Sequence, residues 1–222
     1  MNKVSENPLK NREDGNMPLI IVSALFVTAY LVSNIMAVKV IGIFNILYFD
    51  AGTITFPFAY MLGDVLTEIW GYKTSRKVIL LTFTCNLIMV ACTQIGVWLP
   101  SSESMDVTAS AYNTVFNYVP RIVIASLTGF LLGELSNAYL MDKMKKKLGE
   151  KKLWVRTIGS SMVAYLLDSI PFVLIAFAGT LPARELLLMI ALQYLMKLGI
   201  EAVFGTPLAY STIALIKKRL QR

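Results

Sequence analysis

An all-α membrane protein with six transmembrane helices is the fold class this sequence predicts, and three observations carry the prediction. The 222 residues are 56% hydrophobic and 16% charged, with a mean hydropathy of +0.61, whereas soluble domains carry about 25% charged residues. Crossing a bilayer takes about 20 apolar residues, and runs of roughly that length recur at 18–38, 53–70, 78–99, 121–141, 158–180 and 186–216. Seventeen of the 21 Lys and Arg fall in four stretches: the N-terminal tail, 71–77, 142–157 and the C-terminal tail.

Basic residues collect on the cytoplasmic side of a membrane. Their placement therefore predicts a multi-pass protein of the cytoplasmic (inner) membrane with both termini in the cytoplasm. It places 39–52, 100–120 and 181–185 outside. The chain divides into a cytoplasmic tail over 1–17, a six-helix transmembrane domain over 18–216 and a second cytoplasmic tail over 217–222. The leader is polar and mixed in charge, unlike a cleaved signal peptide. Trp70, Trp98 and Trp154 fall at span ends, where indole prefers the headgroup layer. The basic cluster from Lys143 to Lys152 reads as a contact with anionic lipid. Topology thus accounts for the net charge of +7, and membrane lipid, not nucleic acid, is the expected partner.

Several chemistries are excluded. The sequence has no histidine, so a histidine-based triad, zinc site or proton relay is ruled out. Cys85 and Cys92 lie seven residues apart on one predicted helix, about 10 Å along its axis, too far for a disulfide. No G-x-x-x-x-G-K-[ST] segment is present, so ATP dependence would need a separate subunit. No cofactor, metal site or enzymatic activity is expected.

The informative residues are the carboxylates inside the spans: Asp64, Glu68, Glu134, Asp168 and Glu201. Each costs about 2.5–3.5 kcal/mol at a helix centre on insertion scales, so each needs a cavity, a counter-charge or a polar ligand. Tyr60, Asp64 and Glu68 are spaced four apart and share one helix face. Glu68 has an alternative as a solvated group near Lys73 and Arg76. Glu134 and Asn137 lie three apart, either as ligand groups or as an interhelical clasp, with Gly129 and Gly133 allowing close helix approach. Asn34, beside Ser33, carries the same two readings.

Asp168 is the strongest candidate. Pro171 cannot donate to the carbonyl of Leu167, which frees a backbone acceptor beside the carboxylate. Ser161, Tyr165, Asp168 and Phe172 share that face. Gln193, Lys197 and Glu201 line one face of the last span, where Lys197 either neutralises Glu201 or pairs across to Asp168 or Glu134. Pro207 is placed to bend this helix, and Arg156 reads as an interface anchor. Together these groups predict a small carrier whose acidic side chains converge on a polar, ligand-sized hollow.

An internal repeat adds to this. Ser33-Asn34 recurs as Ser136-Asn137, Ala59-Tyr60 with Asp64 as Ala164-Tyr165 with Asp168, and Gln94 to Val97 as Lys197 to Ile200. The offset stays close to 103 residues. Three is odd, so two three-helix halves would be inverted. A 3+3 inverted repeat with substrate between the halves is a recurring transporter plan.

Several segments are similar to one known family. They are Ser33-Asn34 with Lys39; Pro57 to Tyr60, Asp64, Thr67-Glu68 and Gly71; Gly133-Glu134 with Asn137; Arg156; Asp168-Ser169 through Ala176 to Gly179; and Lys197. Taken together over about 20–215, they resemble the vitamin uptake transporter family whose members import queuosine precursors. The resemblance implies import of a small-molecule substrate, a 7-deazaguanine base such as queuine or one of its biosynthetic precursors. A guanine-like edge presents adjacent N–H donors that Asp168 or Glu68 would accept. Asn34 and Asn137 would take the remaining polar atoms, and Tyr60, Tyr165 or Phe172 would stack the ring. A precursor with an aminomethyl group would suit a second carboxylate. The alternative is a substrate-capture subunit of an energy-coupling-factor vitamin transporter. Monomer and homodimer both stay open.

Overall fold

The computed structural model describes residues 8–43, 47–117, 119–149, 152–179 and 181–220. Helix α1 (Pro8–Ala37) runs to a short antiparallel hairpin, β1 (Val40–Ile43) and β2 (Leu47–Asp50), with Val40 opposite Asp50. The expected outer loop 39–52 therefore holds ordered strands. Helix α1 also starts ten residues before the first expected span, passing through Pro18.

Helix α2 (Gly52–Trp98) is 47 residues long, about 70 Å if straight. It is not straight. Gly71 sits at φ 77 and ψ 168 and interrupts the helical path, a conformation glycine adopts without a Cβ penalty. Both ends of α2 reach the same end of α1. A Cβ on Gly52 would lie 3.0 Å from that of Ala37, and Val90 packs in one apolar cluster with Val38 and Leu127. The two limbs of α2 are thus antiparallel and correspond to the second and third spans. We call their open side the hairpin end and the other the Gly71 end.

Helix α3 (Asp106–Asn117) lies at the hairpin end, inside the expected outer loop 100–120. It is tied to the second limb of α2 by Gln94 Nε2 donating to the Phe116 carbonyl at 2.7 Å and Tyr112 Oη donating to the Thr93 carbonyl at 3.1 Å. Helix α4 (Val119–Leu148) and α5 (Leu153–Phe177) cross next. Helix α6 (Ala183–Ile200) passes into a π-helical turn (Glu201–Gly205) and then α7 (Thr206–Leu220). The last expected span is therefore continuous but widened just before Pro207.

Glycines set the spacing between helices. A Cβ on Gly129 would lie 2.6 Å from both the carbonyl and Oδ1 of Asp168, and one on Gly133 would lie 3.0 Å from the Asp168 Cβ. Only α4 backbone without side chains can approach α5 this closely. Pro171 sits inside α5, which stays helical through it.

The polarity is inverted relative to a water-soluble protein. Leu187 and Leu215 are 68% and 69% exposed, while Glu134 is fully buried. Such an exterior matches hydrocarbon and not water. Among the described residues Met17–Ala37, Gly52–Trp98, Leu153–Phe177 and Ala183–Lys218 are long and apolar enough to cross a membrane. The second of these crosses twice because it folds at Gly71, and the 30-residue α4 beside α5 provides the remaining crossing. The chain is an all-α, multi-pass membrane protein.

Candidate functional site

Polar side chains form a column through the bundle from the hairpin to the Gly71 end. At the hairpin end, Asp50 accepts from Thr53 twice, through its backbone N–H at 3.0 Å and its hydroxyl at 2.9 Å, and from Gln193 Nε2 at 2.9 Å. Burial pushes the Asp50 carboxyl above its ordinary value, while Lys197 and the Thr53 bonds pull it back. Asn34 on α1 accepts from the Ser126 hydroxyl of α4.

One layer deeper, Lys197 Nζ donates to Asp168 Oδ2 at 2.5 Å, both groups being buried. Lys197 pairs across to α5 and not within its own helix to Glu201. Its ammonium also lies 5.1 Å from the centroid of the Phe56 ring. Tyr60 and Tyr165 meet below with ring centroids 4.6 Å apart. The Tyr60 hydroxyl approaches Gly133, another place where α4 must lack a side chain.

In the middle, Glu201 accepts from the Ser161 hydroxyl at 2.6 Å and from the Tyr165 hydroxyl. Asn137 Nδ2 donates to Asp64 Oδ1 at 2.8 Å. Glu134 faces Gly63, whose added Cβ would lie 2.8 Å from Oε2. Neither Glu134 oxygen has a hydrogen-bond partner among the described residues, and the same holds for Asp64 Oδ2 and Asn137 Oδ1.

At the Gly71 end, Glu68 is buried and gathers three cations. Arg156 of α5 pairs with Oε2, while Lys145 of α4 at 3.3 Å and Lys217 of α7 at 3.8 Å approach Oε1. One alternative falls away here and one expectation is corrected. Glu68 is not solvated beside Lys73 and Arg76, because α4, α5 and α7 close over it. Arg156 is no interface anchor: it is fully buried on this carboxylate.

The fold thus brings Asn34, Tyr60, Asp64, Glu68, Glu134, Asn137, Tyr165, Asp168, Lys197 and Glu201 into one connected interior. Phe172 stands apart, in an apolar cluster with Ala125, Val173 and Met189 toward the hairpin end. The side chains of the column largely partner one another instead of surrounding the expected hollow. A groove of 560 Å³ does exist, but it lies between α1, α2 and α7 on the lipid-facing side and is lined by residues such as Ile21, Leu25 and Leu215. It is too apolar to hold a polar solute. Sequence reasoning gave no role to Asp50 or Ser126. Asp50 had a legible signal, since an acidic residue three before Thr53 at the start of an apolar run caps a helix.

Fold and interior together define a class: a multi-span membrane protein with an apolar exterior and a charged core, the build of a solute carrier. Residues 50–212 match the family model described as "Putative vitamin uptake transporter". The chain belongs to this family, which makes it a transporter and not an enzyme. It is 29% identical over 83% of its length, and 80% of the relative's, to a protein of Bacillus subtilis named "Probable queuosine precursor transporter". A protein of the same name from Haemophilus influenzae is 26% identical over 77% of this chain and 71% of its own. The "Queuosine precursor transporter" of Escherichia coli is 22% identical over 76% of this chain and 75% of its own. No solved structure matches the chain.

Proposed function

We propose that this chain is a secondary carrier importing queuosine precursors, 7-deazaguanine bases such as queuine and its biosynthetic precursors, across the cytoplasmic membrane. Both termini lie in the cytoplasm, so the Gly71 end faces inward. The relatives' names point to the substrate class. The observation that carries the reading is the buried Asp168–Lys197 pair at 2.5 Å beside two tyrosine rings. A guanine-like edge offers a ring N–H and an amino group next to a carbonyl. A carboxylate accepts the first two, and an ammonium donates to the third. Such charge-assisted bonds run about twice the strength of neutral ones.

Asp168 suits the base edge better than Glu68, whose oxygens are taken up by Arg156, Lys145 and Lys217. Tyr60 or Tyr165 would stack the ring at roughly 1–3 kcal/mol. Asn34 has a buried Nδ2 without a partner and Gln193 a buried Oε1, both available to remaining polar atoms. The two halves, α1 with both limbs of α2 and α4 through α7, are read as a 3+3 inverted repeat. In support, Asn34 and Asn137 each bond into the opposite half.

The test is uptake of radiolabelled queuine and its aminomethyl precursor into liposomes holding only this chain, with guanine as competitor. Uptake by the chain alone, lost in Asp168→Asn, is the expected result. Uptake that appears only with an added ATP-hydrolysing partner would replace the carrier with a substrate-capture subunit.

A further inference from the structure

The column holds two kinds of carboxylate. Glu68 and Asp168 are balanced by cations. Asp64, Glu134 and Glu201 are buried and form no ion pair among the described residues; their partners are one amide and two hydroxyls, and Glu134 has none. Glu134 lies against Gly63, the residue before Asp64, and its own neighbour Gly133 lies against Asp168. Three uncompensated charges in a low-dielectric interior are not sustainable, so such groups take up protons or a cation.

A metal ion is the poorer candidate. Among the described residues no three carboxylate or thiol side chains converge closely enough to hold one. The unmet need is for hydrogen-bond donors. Asp64 Oδ2, both Glu134 oxygens and the Asn137 carbonyl oxygen are buried acceptors without a donor, and a proton on a carboxylate is such a donor. The other ionisable groups facing Glu134 are Tyr30 of α1, Tyr60 of α2 and Asp168 of α5 with its Lys197. Arg156 acts on Asp64 from the Gly71 side.

We propose that Asp64, Glu134 and Glu201 form a proton-exchange site, beside the Asp168–Lys197 substrate pair, that couples substrate import to proton entry. Glu134 is the exchanging group. Open to the outside, its carboxylate takes a proton from hydronium and leaves water; open to the cytoplasm, the carboxyl returns the proton to water. Asn137, which donates to Asp64, keeps a buried carbonyl oxygen without a donor. This inference rests on the carrier reading above, so the experiment separates the two.

Liposomes containing only this chain and the pH dye pyranine are given radiolabelled queuine. Counterflow at equal pH on both sides tests the carrier reading alone. An acid-outside gradient then tests coupling. The expected result is accumulation driven by the pH gradient and not by a sodium gradient, with substrate-dependent acidification of the lumen. Glu134→Gln is expected to abolish accumulation and acidification while slowing counterflow less than about tenfold.

Accumulation in the wild type that ignores pH, or follows sodium, overturns the proposal. So does full gradient-driven accumulation by Glu134→Gln, or a loss of counterflow as deep as the loss of accumulation. Should Glu134→Gln fail to fold, Asp64→Asn takes its place with the same expectations, and the wild-type dye signal decides without any variant. No counterflow in the wild type brings down the carrier reading and the coupling with it.

Discussion

Asp64 and Glu68 stand one turn apart on the same face of α2, both buried, yet their surroundings have little in common. Glu68 meets three cations supplied by α4, α5 and α7. Asp64 meets one amide, from Asn137. The first arrangement is a clasp: removing the carboxylate takes the shared counter-charge from three helices at once. The second forms no ion pair among the described residues, so it can change protonation with less disturbance to the packing. Burial alone therefore does not fix how a carboxylate responds to losing its charge; the cations attending it do.

The sharpest break of this contrast is Glu68→Gln, which removes the buried carboxylate that Arg156, Lys145 and Lys217 attend and is expected to cost about 3–5 kcal/mol of stability. Thermal unfolding in detergent measures it, and adding Arg156→Met to the same chain should return much of the loss. Asp64→Asn should stay within about 1 kcal/mol of wild type in that assay. Next comes Asp168→Asn, which leaves Lys197 without its carboxylate; transport should fall by the equivalent of about 2 kcal/mol or more, roughly 30-fold. Initial uptake rates in liposomes check it.

Gly129→Ala places a methyl group against Asp168 and should cost about 1–3 kcal/mol, read by unfolding alongside uptake. Gly71→Ala forces a left-handed backbone on a residue with a Cβ, and about 1–2 kcal/mol is expected. The smallest effect concerns Asp50. Its carboxyl is pushed up on folding, so the folded chain holds this proton more tightly than the unfolded one. Stability should then decline as pH rises from the ordinary carboxylate value of 3.8 toward the folded value. Asp50→Asn should flatten that part of a stability-against-pH series.

The spans were legible because hydropathy and basic clustering depend only on composition along the chain. Lys197 with Asp168 was legible as one of three pairings, since helical spacing puts Lys197 near Glu201 as readily as it allows a reach to Asp168 on α5 or Glu134 on α4. What spacing along one helix could not convey is rotation of one helix against another. That rotation buries Arg156 on Glu68 instead of leaving it at the membrane surface. It also draws Asp50, outside every span, onto Gln193 of α6. Helix α3 escaped because its apolar content is too low to stand out between two spans. Phe172 shared a face with Asp168 on paper, but the next turn of α5 faces a different apolar cluster.

The turn from Glu201 to Gly205 closes with the Thr206 N–H bonded to the Glu201 carbonyl, one residue wider than the surrounding helix. Each residue of an α-helix advances its side chain by about 100°. This single insertion therefore sets the angular phase between two contacts on one continuous rod, Lys197 on Asp168 above it and Lys217 on Glu68 below. Deleting one residue there would swing the lower half by roughly a quarter turn, and one rod could no longer serve both ends of the interior.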